Sequence, residues 1–276
     1  MRPANASVTD DTLVIEITRH AMETMTFHGR TWENFYTELQ VMGAIFELFI
    51  ESPPGTSFNN GSITSPSVQV VVNEDKSVSV LSTHEQILED QVYHGCEFPC
   101  REAYRMQLMK YGRQVGEYLA ERGVTDHFSV DFMGVPNTSG RWDLYAVEIN
   151  LRLTGTTHPF MTLKLLTHGD TDEASGIFYA SDDATSKCYV SSDNITDPAL
   201  KRLLPQDLYE LITARPDLHW HSTRQTGVVF HMIGRMSEFG MIGITAIHNS
   251  IEDAQELFEE TSMYIISEAK RNLSQY

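Results

Sequence analysis

The chain has 276 residues, 41% of them hydrophobic and 10% aromatic, which is long enough and apolar enough to bury a sizeable core. Acidic residues outnumber basic ones 38 to 20, and this net charge of −18 argues against a nucleic-acid-binding protein that neutralises phosphates. No apolar run reaches membrane-spanning length, the N-terminal MRPANASVTDD lacks the parts of a signal peptide, and three cysteines cannot form a disulfide framework. We therefore expect a cytoplasmic protein with reduced thiols and no membrane partner.

The first half of the chain alternates strand and helix patterns. Apolar side chains at helical spacing predict a helix over residues 28–41, with its apolar stripe packed inward, and the longest helix over residues 102–122. The composition of residues 53–62 predicts a loop. Strands are predicted at residues 13–17, 44–50, 67–72 and 78–82, the last two as a hairpin.

A second hairpin follows. Residues 129–133 are apolar-rich, residues 137–140 have turn chemistry, and residues 142–150 return as a strand. Val147 and Ile149 form an apolar row on one face of the returning strand, which argues against a solvated surface ribbon. That alternative nevertheless stays open on pattern alone.

The polar row of this hairpin carries the strongest candidate chemistry. Residues two apart on a strand share a face, so Glu148, Asn150 and Arg152 line up, and Asp131 can lie beside them across the antiparallel pair. Two carboxylates and a carboxamide form an oxygen-rich site of the kind that suits Mg²⁺. The planar guanidinium of Arg152 suits a phosphate.

The second half of the chain is less regular. Residues 170–196 are acidic and are predicted to be irregular. Helices are predicted at residues 160–166 and 208–214, strands at 227–233 and 242–247, and a final helix from Ser250, with Asp253 completing a capping box.

Several histidines admit two interpretations. His84 and Glu85 are interpreted either as a base with its orienting acid or as the polar end of a strand. His158 predicts either a contact to a carboxylate or phosphate or a structural histidine. His231, inside an apolar strand, predicts a core histidine or a functional one.

These motifs together resemble a known family. A D-F strand, a turn, E-I-N-x-R and a G-T-T-H-P loop resemble the metal-binding end of ATP-grasp enzymes. The chain is more closely similar to the ATP-grasp peptide ligases of pheganomycin biosynthesis and to the module in the IQ-motif-containing protein H group. Further matching stretches, within a resemblance that spans residues 27–262, are FELFIE (46–51), SPSVQV (65–70), LSTHEQIL (81–88), YHGCEFPC (93–100) and the glycine-bearing segment 227–247.

The resemblance implies an α+β fold, ATP-grasp-like, with an antiparallel sheet packed by helices and an incomplete N-terminal subdomain. It implies ATP and Mg²⁺ as cofactors. The residues that it assigns are Asp131, Glu148 and Asn150 to the metal, Arg152 to catalysis, and the hinge-strand residues Glu47, Phe49 and Glu51 to the adenine and ribose.

The resemblance also implies a domain division and a reaction. Residues 1–45 would be a remnant of the N-terminal subdomain, 46–168 the C-terminal subdomain, and 169–276 a family-specific extension. The implied reaction joins a small-molecule carboxylate to an amine, such as an amino acid or peptide, through an acyl-phosphate. The alternatives are a non-catalytic binding or scaffold module and a Mg²⁺-dependent phosphotransferase.

The chain departs from the family at its N-terminal end. No lysine precedes Lys76, and the expected glycine-rich segment before the hinge strand is not recognisable. We therefore expect the chain alone to turn over poorly, and a missing N-terminal half supplied in trans to restore turnover.

Overall fold

A computed structural model describes residues 19–20, 31–43, 50, 63–89, 92–137, 139–182 and 184–273. The chain divides into two units, residues 1–51 and 52–276. In the first unit, helix α1 (Trp32–Met42) begins after Thr31, whose hydroxyl accepts a hydrogen bond from the backbone N–H of Asn34. None of its residues is fully buried, but Trp32, Phe35 and Leu39 of the predicted stripe are half-buried, so the inward packing of the stripe stays a prediction. The strand predicted at residues 13–17, residues 44–49 of the strand predicted at 44–50, and the loop predicted at 53–62 lie outside the described residues.

The described part of the second unit contains ten strands and five α-helices. The strands are β1 (Pro66–Val72), β2 (Val78–Glu89), β3 (Val92–Phe98), β4 (Asp126–Pro136), β5 (Trp142–Asn150), β6 (Asp170–Thr171), β7 (Phe178–Tyr179), β8 (Ser186–Thr196), β9 (Gly227–His231) and β10 (Met241–His248). The α-helices are α2 (Glu102–Ala120), α3 (Thr157–Thr167), α4 (Pro205–Thr213), α5 (Arg235–Phe239) and α6 (Ile251–Leu273). A 3₁₀-helix covers Pro198–Arg202.

Eight strands form one sheet in the order β5-β4-β1-β2-β3-β8-β10-β9, and the short β6 and β7 extend it beside β8. All of the named pairings are antiparallel. The mixed helical and antiparallel architecture confirms the α+β prediction and both predicted hairpins. The domain boundaries at residues 45 and 168 stay predictions.

The prediction of an irregular segment over residues 170–196 is wrong, because strand β8 occupies its second half. Its polar residues Lys187, Ser191 and Ser192 are buried rather than solvated. The hydroxyl of Ser191 hydrogen-bonds that of Thr245 at 2.8 Å, and Ser192 donates to the carbonyl of His94 at 2.5 Å. The polar composition of this segment is typical of a loop, but the hydroxyls of Ser191 and Ser192 both have hydrogen-bond partners within the sheet.

One face of the sheet packs against α2 and forms an apolar core. Val68 and Val70 of β1 meet this helix where it carries Gly112 and Gly116. A Cβ atom at residue 112 would lie 2.8 Å from Val68 Cγ2, so glycine permits the close approach. The expectation of an antiparallel sheet packed by helices is confirmed.

The opposite face of the same strands is polar yet buried. Its buried polar residues are Ser67 and Gln69 of β1, Ser82 and His84 of β2, and Ser129 of β4. Further along this face, Phe160 and Leu163 of α3 pack with Cys96, Phe98 and Tyr189. This polar face therefore provides the floor of the candidate site.

The C-terminal elements form a second core, in which Ile244 and Ala246 of β10 pack near Ile265 of α6. Ser250 accepts a hydrogen bond from the backbone N–H of Asp253 and donates to its carboxylate, which confirms the predicted cap. The three cysteines are free and buried, as predicted. No helix in the described ranges is long and apolar enough to cross a membrane.

Candidate functional site

The candidate metal residues lie together at the end of the β4–β5 hairpin. Asp131 pairs with Glu148 in register, and Ser129 pairs with Asn150. The register shifts just beyond this pair, because Phe132 pairs with Ala146, and such a bulge re-aims side chains beside a site.

The apolar row on the other face of β5 does not form the expected buried surface. Val147 and Ile149 remain 48% and 47% exposed among the described residues. The apolar row of Val147 and Ile149 therefore does not count against a surface ribbon. The case for the site depends instead on the contacts of Asp131 and Asn150.

Hydrogen bonds connect Asp131, Asn150 and Arg152 in a row across the polar face. Asp131 accepts from the hydroxyl of Ser67 at 2.7 Å and from Asn150 Nδ2 at 3.0 Å. Arg152 Nη2 donates to Asn150 Oδ1 at 3.1 Å. Asn150 is therefore held in one orientation between a carboxylate and a guanidinium, whereas Glu148 stays exposed.

The electrostatics of the site favour a cation. Burial raises the pKa of Asp131 above its ordinary value of 3.8, and the hydrogen bond from Ser67 partly offsets this rise. The neighbouring charge of Glu148 raises the pKa further, while Arg152 lowers it. Two carboxylates in register, one of them partly desolvated, repel each other unless a positive charge lies between them.

The loop after β5 is anchored to the floor of the site by Gln69, which is only 2% exposed. Gln69 Nε2 donates to the hydroxyls of Thr154 and Thr156 at 3.0 Å and 2.6 Å. The hydroxyl of Thr157 donates to Gln69 Oε1 at 3.0 Å. The S-P-S-V-Q-V and G-T-T-H-P motifs, distant in sequence, thus form one hydrogen-bonded unit.

His84 and Glu85 do not form a base with its orienting acid. His84 Nε2 lies 2.6 Å from the Tyr189 hydroxyl on the polar face, and burial lowers the pKa of His84 to about 3. Glu85 accepts instead from the hydroxyl of Tyr104 in α2, on the other face of the sheet. Neighbouring residues of a strand point to opposite faces, so His84 is a core histidine.

His158 and His231, which the sequence left open, lie beside each other. Their ring centroids are 4.6 Å apart, and Asp193 of β8 lies against both. Asp193 was missed by the sequence analysis, because its S-S-D-N surroundings have the composition of a loop. The hinge residues Glu47, Phe49 and Glu51 lie outside the described residues.

Comparison with solved structures finds chains of similar architecture. The N5-carboxyaminoimidazole ribonucleotide synthetase of Thermus thermophilus is 13% identical, with a TM-score of 0.48 over 85% of this chain and 58% of that one. The phosphoribosylaminoimidazole carboxylase ATPase subunit of Aquifex aeolicus is 15% identical, with a TM-score of 0.46 over 79% of this chain and 57% of that one.

Comparison of sequences gives a nearer relative. The L-propargylglycine–L-glutamate ligase of Streptantibioticus cattleyicolor is 33% identical over 224 residues, which cover 80% of this chain and 43% of the ligase. The chain thus spans less than half the length of this curated relative.

Two family profiles match the chain. Residues 214–261 match the PGM1 C-terminal domain. Residues 10–174, more than half of the chain and the part that includes the β4–β5 hairpin and the Gln69-anchored loop, match the IQCH-like ATP-grasp profile. The chain belongs to the IQCH-like ATP-grasp family.

Proposed function

We propose that this chain binds ATP with Mg²⁺ and functions in a carboxylate–amine ligase of the ATP-grasp type, whose reaction joins a carboxylate to an amine. The observation that carries the proposal is the register of the β4–β5 hairpin, in which Asp131 faces Glu148 and Asn150 is hydrogen-bonded to Asp131. ATP-grasp proteins generally bind ATP with Mg²⁺. The relative that covers most of this chain is by name a ligase of two amino acids.

The residues present fit a hard divalent cation. Asp131, Glu148 and Asn150 offer carboxylate and amide oxygens, which Mg²⁺ prefers over nitrogen or sulfur ligands. The raised pKa of Asp131 indicates unrelieved burial and like-charge repulsion, and a bound cation would relieve both. Mg²⁺ held there would neutralise part of the charge on the ATP phosphates.

Arg152 supplies the positively charged side chain of the site. Its Nη2 donates to Asn150 Oδ1 and its Nη1 donates to the Leu153 carbonyl at 3.3 Å, which leaves the remaining N–H groups of the guanidinium for phosphate oxygens. In phosphoryl transfer the protein contributes chiefly position and charge neutralisation, so Arg152 would stabilise charge on the transferred group. Glu47, Phe49 and Glu51 are proposed, from the family resemblance, to receive the adenine and ribose.

The proposed reaction has two steps. A carboxylate oxygen of the first substrate attacks the γ-phosphorus of ATP, so that an O–P bond forms and the bond to the leaving ADP breaks. The amine nitrogen of the second substrate then attacks the acyl carbon, which forms the C–N bond and expels phosphate, while the amine loses its proton. The substrate class is a small-molecule carboxylate, such as an amino acid, with an amine.

Replacement of Glu148 by Gln tests the proposed site by calorimetry with Mg²⁺ and a nonhydrolysable ATP analogue. The variant keeps the side-chain volume but loses a charge, and we expect nucleotide affinity to fall at least about tenfold, or about 1.4 kcal/mol. Asp143→Asn on the same strand removes an exposed charge away from the site and serves as the control. Equal affinities of Glu148→Gln and the unchanged chain would show that the site assignment is wrong.

Turnover assays distinguish the ligase from other uses of the fold. ADP release that requires both a carboxylate and an amine supports ligation. Release without an amine would instead indicate a phosphotransferase, and binding without any release, even with the missing N-terminal half supplied in trans, would indicate a binding module.

A further inference from the structure

A second cluster of chemically capable side chains lies on the same unit, outside the β4–β5 hairpin. His158 comes from the first turn of α3, Asp193 from β8 and His231 from the end of β9. His158 Nε2 lies 3.5 Å from Asp193 Oδ1, and His231 Nδ1 lies 3.7 Å from the same oxygen. Within the described ranges, this is the one group of three His, Cys, Asp or Glu residues whose ligand atoms all lie within 4.8 Å of one another.

The local backbone is shaped to bring these side chains together. The pairing of β8 with β10 shifts register, because Ile242 pairs with Ile195 but Ile244 pairs with Ser192, so Asp193 lies in a bulge. On β10, Gly243 faces His231 in register, and any Cβ atom there would collide with the imidazole ring. Glycine at this position therefore leaves the space that the His231 ring occupies.

The three atoms that face one another have no hydrogen-bond partner. His158 Nε2, Asp193 Oδ1 and His231 Nδ1 are all buried and unpaired. The two N–O separations are longer than ordinary hydrogen bonds, whose donor and acceptor lie about 2.7–3.2 Å apart. Since buried polar atoms in native proteins are nearly always paired, three converging unpaired atoms indicate a missing shared partner.

The two separations between imidazole nitrogen and carboxylate oxygen are close to the edge length of a tetrahedral metal site. Zn²⁺ bonds to histidine nitrogen and carboxylate oxygen are about 2.0–2.2 Å long, so adjacent ligands of a tetrahedral ion lie roughly 3.3–3.6 Å apart. The separations of 3.5 and 3.7 Å are close to that range. Mixed imidazole and carboxylate ligands favour a transition metal over Mg²⁺, which takes oxygen ligands.

We propose that His158, Asp193 and His231 bind one divalent transition-metal ion, with Zn²⁺ as the expected metal. Three protein ligands leave one coordination position for water or for a small-molecule donor such as a carboxylate or an amine. The site lies near the Asp131 site, because His158 directly follows Thr157, which donates to Gln69, and Gln69 is two residues along β1 from Ser67, which donates to Asp131.

The state of the two imidazoles suits this role. Burial lowers the pKa of both His158 and His231 below the ordinary value of 6.5, and the Asp193 carboxylate offsets part of the shift. Neutral imidazoles are the form that ligates a metal.

Calorimetric titration of the untagged, chelator-treated chain with Zn²⁺ tests the proposal. Excess Mg²⁺ is present throughout to fill the oxygen-rich Asp131 site, so that binding of Zn²⁺ there does not contribute to the measured heat. We expect one equivalent of Zn²⁺ to bind, and affinity to fall at least about a hundredfold in His231→Gln, since loss of an outer contact alone costs 10–100-fold. The control is His127→Gln, which removes a histidine hydrogen-bonded to Asp126 at 2.8 Å but belonging to no such group of three.

Co²⁺ provides a second readout on the unchanged chain. A tetrahedral site gives intense visible absorption bands, which should disappear in His158→Gln and Asp193→Asn and persist in His127→Gln. Absence of Zn²⁺ binding by the unchanged chain, or equal affinity in the ligand variants, would overturn the proposal. Should His231→Gln fail to fold by circular dichroism, the Co²⁺ spectrum of the unchanged chain decides, and a pale octahedral spectrum counts against the site.

Discussion

Replacement of Gln69 by Leu should destabilise the protein by removing the anchor of the loop that follows β5. Leucine has a similar volume, so the change removes hydrogen bonds while leaving little cavity. Gln69 makes three side-chain hydrogen bonds to threonine hydroxyls and is 2% exposed. At about 1 kcal/mol for each buried hydrogen bond, the loss is about 3 kcal/mol.

Two effects set the range of that figure. The buried hydroxyls of Thr156 and Thr157 would lose their partner, which adds a desolvation cost. Both can still interact with the Thr154 hydroxyl, at 3.2 and 3.3 Å, which recovers part of the loss. We therefore expect the free energy of unfolding to fall by about 2–4 kcal/mol, or about 4–16 °C in Tm at this chain length.

Urea unfolding followed by circular dichroism measures the change. Gln206→Ala is the matched control, because Gln206 is an exposed amide with one side-chain hydrogen bond, to Glu210 on the same helix. Its effect should stay within about 0.5 kcal/mol. A change below about 1 kcal/mol in Gln69→Leu would refute the idea that this glutamine holds the loop.

Three further predictions concern the two faces of the sheet. Because burial holds the pKa of His84 at about 3, below the ordinary 6.5, the protein should lose stability as the pH falls from 6.5 towards 3. His84→Gln should flatten that part of the curve in urea unfolding, and parallel curves would contradict the assignment. Burial raises the pKa of Glu85 above its ordinary 4.5, so the protonated carboxyl stabilises the folded protein at low pH. This contribution to the free energy of unfolding is lost as the pH rises from 4.5 through the raised pKa. Glu85→Gln should therefore gain stability relative to the unchanged chain as the pH rises above 4.5, whereas the exposed Glu117→Gln should not. Gly116→Ala would place a Cβ atom 2.5 Å from Val78 Cγ1 and should cost about 1–2 kcal/mol despite the better helix propensity of alanine. Glu117→Ala is its thermal-melting control, and a Gly116→Ala protein as stable as that control would show that the helix can move away.

The features that follow from local chemistry were predictable from the sequence. The β4–β5 hairpin has an alternating pattern and a turn within one short stretch, and Asp131 lies in register with Glu148 as its spacing predicts. The helix α2 has a long apolar period and covers residues 102–120 of the predicted 102–122. In both cases the residues that determine the structure are neighbours in the chain.

The remaining features depend on partners that are distant in sequence. Strand β8 contains buried serines that are stable only because Thr245 and the carbonyl of His94 satisfy them. The meeting of His158, Asp193 and His231 requires three separate elements and a bulge whose position no local pattern shows. Sequence periodicity reports which side chains are buried, not which distant groups satisfy them.

The place of β8 in the sheet has a consequence for how the chain tolerates being broken. In the described part of the sheet, a backbone ladder between β3 and β8 connects the strands on one side of the sheet to those on the other. The ladder consists of four residue pairs, which join Gly95–Phe98 to Ser192–Tyr189. A cleavage between α3 and β8 would leave two fragments with complementary unpaired edges, each a template for the other. We therefore expect two such pieces, when co-expressed, to recombine by strand addition, and the exposed edge of a lone fragment to promote its aggregation.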